Sequence, residues 1–94
     1  MIKSFKDKAT TQLFEGVRPR RLPPDIHHRG RRALRRLHAA DDLRELASLP
    51  SHHLEALKGD RKGQHSIRIN KQWRVCFTWR EGNAHDVEIT DYHP

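Results

Sequence analysis

The chain has 94 residues, a formal net charge of +7 and an apolar share of 34%. That suffices for one thin-cored domain and excludes two separate cores, while the cation excess points to a polyanion or an acidic protein as partner. The lone Cys76 excludes an internal disulfide, no apolar run approaches the roughly 20 residues of a membrane span, and the N-terminus lacks the apolar stretch of a secretory signal, so the expected location is the cytoplasm, with no membrane partner.

The opening "MIKSF" reads as a short strand, with Ile2 and Ser4 on one side and Lys3 and Phe5 on the other. "DKATTQLFEG" follows as a short helix, started near Asp7 and stopped by Gly16. "VRPRRLPP" holds three prolines and three arginines and reads as an irregular connector. Pro24 and Asp25 suit a first helical turn, where proline has no needed amide hydrogen to lose and aspartate favours the positive end of the dipole. From Asp25 to about Ala40, apolar residues at Ile26, Ala33, Leu34, Leu37 and Ala40 keep a helical period, with Arg29, Arg31, Arg32, Arg35 and Arg36 around the rest. Gly30 costs that helix about 1 kcal/mol relative to alanine. A further short helix is expected from Asp42 to Ala47, ended before Pro50.

After Pro50 the period changes to two. Ile67 and Ile69, then Val75, Phe77 and Trp79, then Val87 and Ile89 alternate with polar residues, and "NKQ" and "EGN" supply the hairpin turns. Helices followed by an antiparallel meander make an α+β domain, with two to three helices packed on one face of the sheet and the other face open. Parity then sends Arg68, Arg74, Glu88 and Tyr92 outward together, a basic floor on the free face.

No metal or other cofactor is expected. None of the eight histidines pairs at i,i+4, the cysteine has no CxxC companion, and His27-His28 and His52-His53 read as surface residues. Trp73, Phe77 and Trp79 read as packing residues.

The stretch "LKGDRKGQHSIRINKQWRVCFTW", the terminal "VEITDYH" and the opening "MIKSFKDK" closely resemble the HigB-type host-inhibition toxins, or proteic killer proteins, of the RelE/ParE toxin–antitoxin superfamily. The resemblance covers nearly the whole chain, least regularly from Val17 to Ser51. It implies a RelE-like compact fold and a toxin that enters the decoding site of the 70S ribosome and cleaves messenger RNA there without a metal. It also implies a small helix-turn-helix antitoxin as partner, through which alone the toxin reaches operator DNA.

Such cleavage uses the ribose 2′-oxygen as nucleophile, so it needs a base, cations for the phosphorane and an acid for the departing 5′-oxygen. On this resemblance Arg74 grips phosphate oxygens and Lys58 stabilises their charge. Arg61 joins that set, and Arg68 either holds phosphate or pairs with Glu88. Asp91, Tyr92 and His93 carry acid–base or stacking roles, with His93 titrating near neutral pH. Lys62 and Lys71 supply general attraction to RNA, and Arg32 and Arg36 on the arginine-rich helix face ribosomal RNA or an acidic antitoxin. The chain departs from the pattern at Glu55, where some relatives carry a histidine shortly before the lysine of "KGDR". Glu55 is either a general base or an exposed edge residue. Two other functions fit a basic domain of this kind: a non-catalytic toxin acting on another target such as gyrase, and a plain nucleic-acid-binding module.

Overall fold

The computed structural model describes residues 1–92. Asp7 opens α1 (Lys8–Phe14) by accepting the amide hydrogen of Thr10 at 2.8 Å. The helix stops at Gly16, whose φ of 90° lets the Val17 amide return to the Gln12 carbonyl at 2.8 Å. A 3-10 turn at Pro24–Ile26 leads into α2 (His27–Ala39). Asp42 caps the short α3 (Leu43–Ala47), while the Glu45 carboxylate reaches back to the Asp41 amide at 2.7 Å.

The sheet is a four-stranded antiparallel meander in the order β1 (Glu55–Ala56), β2 (Gln64–Arg68), β3 (Trp73–Arg80), β4 (Asn83–Asp91). Asn70 Oδ1 accepts the amides of both Gln72 and Trp73 at 2.8 Å and so closes the β2–β3 turn. Glu81 and Gly82 turn β3 into β4 with φ of 50° and 77°, the pair of positive angles that a two-residue hairpin of matching twist requires. β1, only two residues long, carries too little alternation to be seen in the sequence.

The N-terminal segment is not the continuous strand that its pattern predicts. It runs parallel to β4 through two separate bridges, Ile2 to Ala84 and Phe5 to Val87. Between them β4 carries an extra residue, Asp86 at φ 52°, whose amide donates to Ser4 Oγ at 2.8 Å instead of joining the ladder. After Lys6 the chain leaves the sheet for α1, and the buried Thr10 hydroxyl there accepts the Ile89 amide at 3.0 Å.

Ile67, Ile69, Val75, Phe77, Val87 and Ile89 are buried against Leu13 of α1 and Leu34 and Leu37 of α2 in one core. Gly30 faces α1 and the sheet together: a Cβ there would stand 3.0 Å from Leu13 Cδ2 and 3.5 Å from Ile89 Cδ1. The residue that weakens the helix locally is the one that admits its neighbours.

The opposite face is not open at its centre. Ser66 and Cys76 point there by register, yet both are fully buried. Arg61 donates to Glu88, which lies directly across from Cys76, at 3.1 Å, and Arg74 Nε donates to Ser66 Oγ at 2.7 Å. The cationic side chains lie down over small residues, and the free face is roofed by its own arginines.

Candidate active site

Register sets Arg68 directly opposite Arg74 on adjacent strands. Like charges so placed repel, and the fold meets this by tying Arg74 down. Besides its bond to Ser66, Arg74 donates from Nη2 to the backbone carbonyl of His53 at 2.6 Å. His53 ends the 3-10 turn Pro50–His52 in the left-handed region, at φ 43° and ψ 54°, a conformation that side chains other than glycine adopt at some cost. The arginine is thus clamped between a strand and a loop, with its planar head fixed.

Around it lies a cleft of about 290 Å³ lined by His53, Glu55, Arg68, Asn70, Lys71, Arg74 and Tyr92. Three cations and one carboxylate share this space with an imidazole and a phenol. Glu55, in β1 opposite Ser66, is exposed on the rim. Arg68 makes no pair with Glu88, because Glu88 is already held by Arg61 at 3.1 Å and by Lys6 at 3.7 Å.

Arg61 stands behind the cleft rather than in it. Its Nη1 donates to Gln64 Oε1 and Glu88 Oε1, both at 3.1 Å, and its guanidinium carbon lies 5.8 Å from the centre of the Tyr92 ring. That is a cation–π distance, so the pair fixes the phenol that lines the cleft. Lys58 is exposed just before the 3-10 turn Gly59–Arg61, and Lys62 is exposed just after it; neither lines the cleft. Asp91 is exposed and accepts from Gln72 Nε2 at 2.9 Å. His93 lies outside the described residues. Arg32 and Arg36 line a separate depression with Arg29 and Arg68.

The sequence gives no signal for two residues of the cleft. Asn70 looks like turn chemistry alone, and His53 looks like one more surface histidine until its carbonyl is seen under Arg74. Two other histidines depart from the surface placement expected of them. His52 is buried with Nδ1 at 3.2 Å from the Leu46 carbonyl, and His27 is buried with Nε2 at 2.9 Å from the Leu22 carbonyl. Burial holds the His52 imidazole below its ordinary pKa, and the nearby Arg36 charge pushes the same way. Among the described residues no three histidine, cysteine, aspartate or glutamate side chains are grouped as metal ligands would be.

A site of this make-up can bind a phosphodiester and move protons beside it. Arg74, Arg68 and Lys71 meet anionic oxygens, Glu55 and His53 offer proton acceptors, and Tyr92 offers a hydroxyl and a ring face.

Residues 3–93 match the family model for the HigB-like toxin, described as the RelE-like toxin of the type II toxin–antitoxin system HigB. The chain is 38% identical over 96 residues to endoribonuclease HigB of Proteus vulgaris, an alignment that covers 99% of this chain and 100% of that protein. It is 40% identical over 85 residues to toxin HigB-1 of Vibrio cholerae, covering 89% of this chain and 90% of that one.

Proposed function

This chain belongs to the HigB family of RelE-like toxins of type II toxin–antitoxin systems, and on that premise we propose that it is a ribosome-dependent endoribonuclease that cuts messenger RNA and so inhibits translation. As a type II toxin it has an antitoxin as partner. We infer further that this antitoxin is a small helix-turn-helix protein, that operator DNA is reached only through it, and that the work is done in the cytoplasm. No helix among the described residues is long and apolar enough to cross a membrane.

The observation that carries the enzymatic reading is the clamped Arg74 at the wall of a cleft that also holds Arg68, Lys71, Glu55, His53 and Tyr92. In the proposed reaction a base in the cleft takes the proton of a ribose 2′-hydroxyl. The oxygen attacks the adjacent phosphorus, the bond to the 5′-oxygen breaks, and an acid returns a proton to that leaving oxygen. The products are a 2′,3′-cyclic phosphate and a free 5′-hydroxyl. The guanidiniums of Arg74 and Arg68 balance the charge that grows on the non-bridging oxygens, and Arg74, already clamped, needs no reorganisation to do so. Glu55 and His53 are the base candidates within the described residues, and Asp91, Tyr92 and His93 form the acid and stacking set. Arg61 positions Tyr92. Lys58, Lys62, Arg32 and Arg36 supply attraction to RNA outside the cleft.

Purified protein incubated with a labelled messenger RNA, with and without programmed 70S ribosomes, tests this reading. Discrete cuts that need the ribosome and end in a cyclic phosphate are expected. Intact RNA under both conditions, from a protein that still arrests growth, contradicts it and brings forward a non-cleaving target such as gyrase.

A further inference from the structure

The second depression, about 160 Å³, lies between α2 and the end of β2 and is lined by Arg29, Arg32 and Arg36 with Arg68, Ser51 and His52. Three of its arginines fall at i, i+3 and i+7 on one helix face and share the depression with the fourth, which comes from the sheet. No carboxylate lines it. Elsewhere the arginines that hold the fold each find an acceptor: Arg21 on Asp7, Arg31 on the Leu13 carbonyl, Arg61 on Glu88, Arg74 on Ser66. None of the four in this depression has a salt bridge or a side-chain hydrogen bond among the described residues. Arg36 gains from the C-terminal helix dipole. Arg29 and Arg32, in the first and second turns, gain nothing from it, and Arg32 repels Arg36 at i,i+4. His52 in the wall adds no negative charge. A concave set of guanidiniums with its repulsion left unbalanced is built for an anion from outside.

The two clefts adjoin at one shared residue. Arg68 lines both, and consecutive residues divide between them: His52 faces the arginine cleft and His53 the catalytic one, as do Ile69 and Asn70. A strand leaving one cleft can therefore reach the other by passing over Arg68. We propose that the arginine cleft binds a backbone phosphate of the same RNA strand that the catalytic cleft cuts, with Arg68 at the junction. This inference rests on the RNA-cleaving reading for the occupant of the catalytic cleft, and its test uses binding alone.

The probe is a set of fluorescein-labelled single-stranded RNAs of increasing length, fully 2′-O-methylated so that no nucleophile is available. They are titrated by anisotropy into the intact protein and into an Arg29→Gln/Arg32→Gln variant, at several salt concentrations. Both arginines are exposed, and thermal melting checks that the variant folds. In the wild type, affinity should step up once the RNA is long enough to enter both clefts. The variant should lose that step by about tenfold or more, weaken on short RNAs by far less than on long ones, and show a salt slope shallower by about 0.7 for each phosphate it no longer neutralises. Three results overturn the proposal: no length step in the wild type, equal weakening at every length (general attraction), or saturable binding of pyrophosphate that the variant loses without any effect of RNA length (a free-anion site). Because the RNA cannot be cut, loss of cleavage activity leaves this outcome unaffected, and failure here leaves the ribosome assay to decide the enzyme.

Discussion

Arg74 of β3 donates to the backbone carbonyl of His53 at 2.6 Å, tying the middle of the sheet to the loop that enters β1. Together with bonds to the Ser66 hydroxyl at 2.7 Å and the Ser66 carbonyl at 3.5 Å it commits Nε and Nη2 to orientation and leaves Nη1 for substrate. Lysine has no fork with which to make both contacts. Arg74→Lys and Arg74→Ala should therefore each lower single-turnover cleavage on ribosomes by about 10²–10³, the usual loss for one pre-set donor to developing charge. Ser66→Ala should lower the rate by less and leave ribosome binding unchanged, as expected of a group that acts only by holding Arg74. A lysine variant with wild-type cleavage would show that charge alone suffices.

The Arg61–Glu88 pair roofs Cys76 and backs Tyr92, so a single change should be readable at both places. Burial pushes the Cys76 thiol above its ordinary pKa, although Arg61 pulls the other way. The thiol should thus be almost inert to an aromatic disulfide reagent in the folded protein. Glu88→Ala should speed its labelling at least tenfold and lower cleavage severalfold through a loosened Tyr92. Unchanged labelling in a folded variant would mean that other side chains close the roof.

Thr10 does a job that its place in a helix hides, since its hydroxyl satisfies the Ile89 amide where the N-terminal segment leaves the sheet. Thr10→Val keeps the shape and removes the acceptor. It should cost about 1–3 kcal/mol in urea unfolding, the penalty for an unsatisfied buried amide, whereas Thr10→Ser should cost less. Equal stability of the valine variant would point to water reaching Ile89.

Much of this fold was legible in the sequence because periodicity reports burial. The 3.6 period over Ile26 to Ala40 and the alternation at Ile67, Val75 and Val87 directly encode which sides meet the core. The parts that were hidden depend on partners far away in the chain. The N-terminal segment is broken into bridges by a bulge at Asp86, more than 80 residues later, and Gly30 looks like a defect until Leu13 is packed on it. The site divides in the same way. Parity brought Arg68 and Arg74 together, but parity does not say that Arg61 turns inward to Glu88, or that a backbone carbonyl makes His53 part of the cleft.

His52 makes stability depend on pH with a definite sign. Its folded pKa lies below the ordinary 6.5 because the ring is buried, with Arg36 close by. Below pH 6.5 the unfolded chain takes a proton at this residue that the folded chain resists, so the unfolded state binds more protons and stability falls as pH falls. The contribution is complete above 6.5 and declines through the interval beneath it, down to the folded pKa. His52→Asn keeps a donor for the Leu46 carbonyl and removes the titration, so the melting temperature of the variant should fall less between pH 7 and pH 5 than that of the wild type. Parallel curves would mean that His52 takes its proton without cost to the fold.

That the cleft around Arg74 cuts messenger RNA during translation is tested most directly by mapping RNA 5′ ends. Primer extension would be run on cells briefly expressing the chain, beside cells expressing Arg74→Ala at equal level. Discrete cuts inside translated codons are expected, and they should disappear both with the variant and when initiation is blocked. Growth arrest with intact messenger RNA, or cuts that persist in the Arg74→Ala cells, would contradict this assignment.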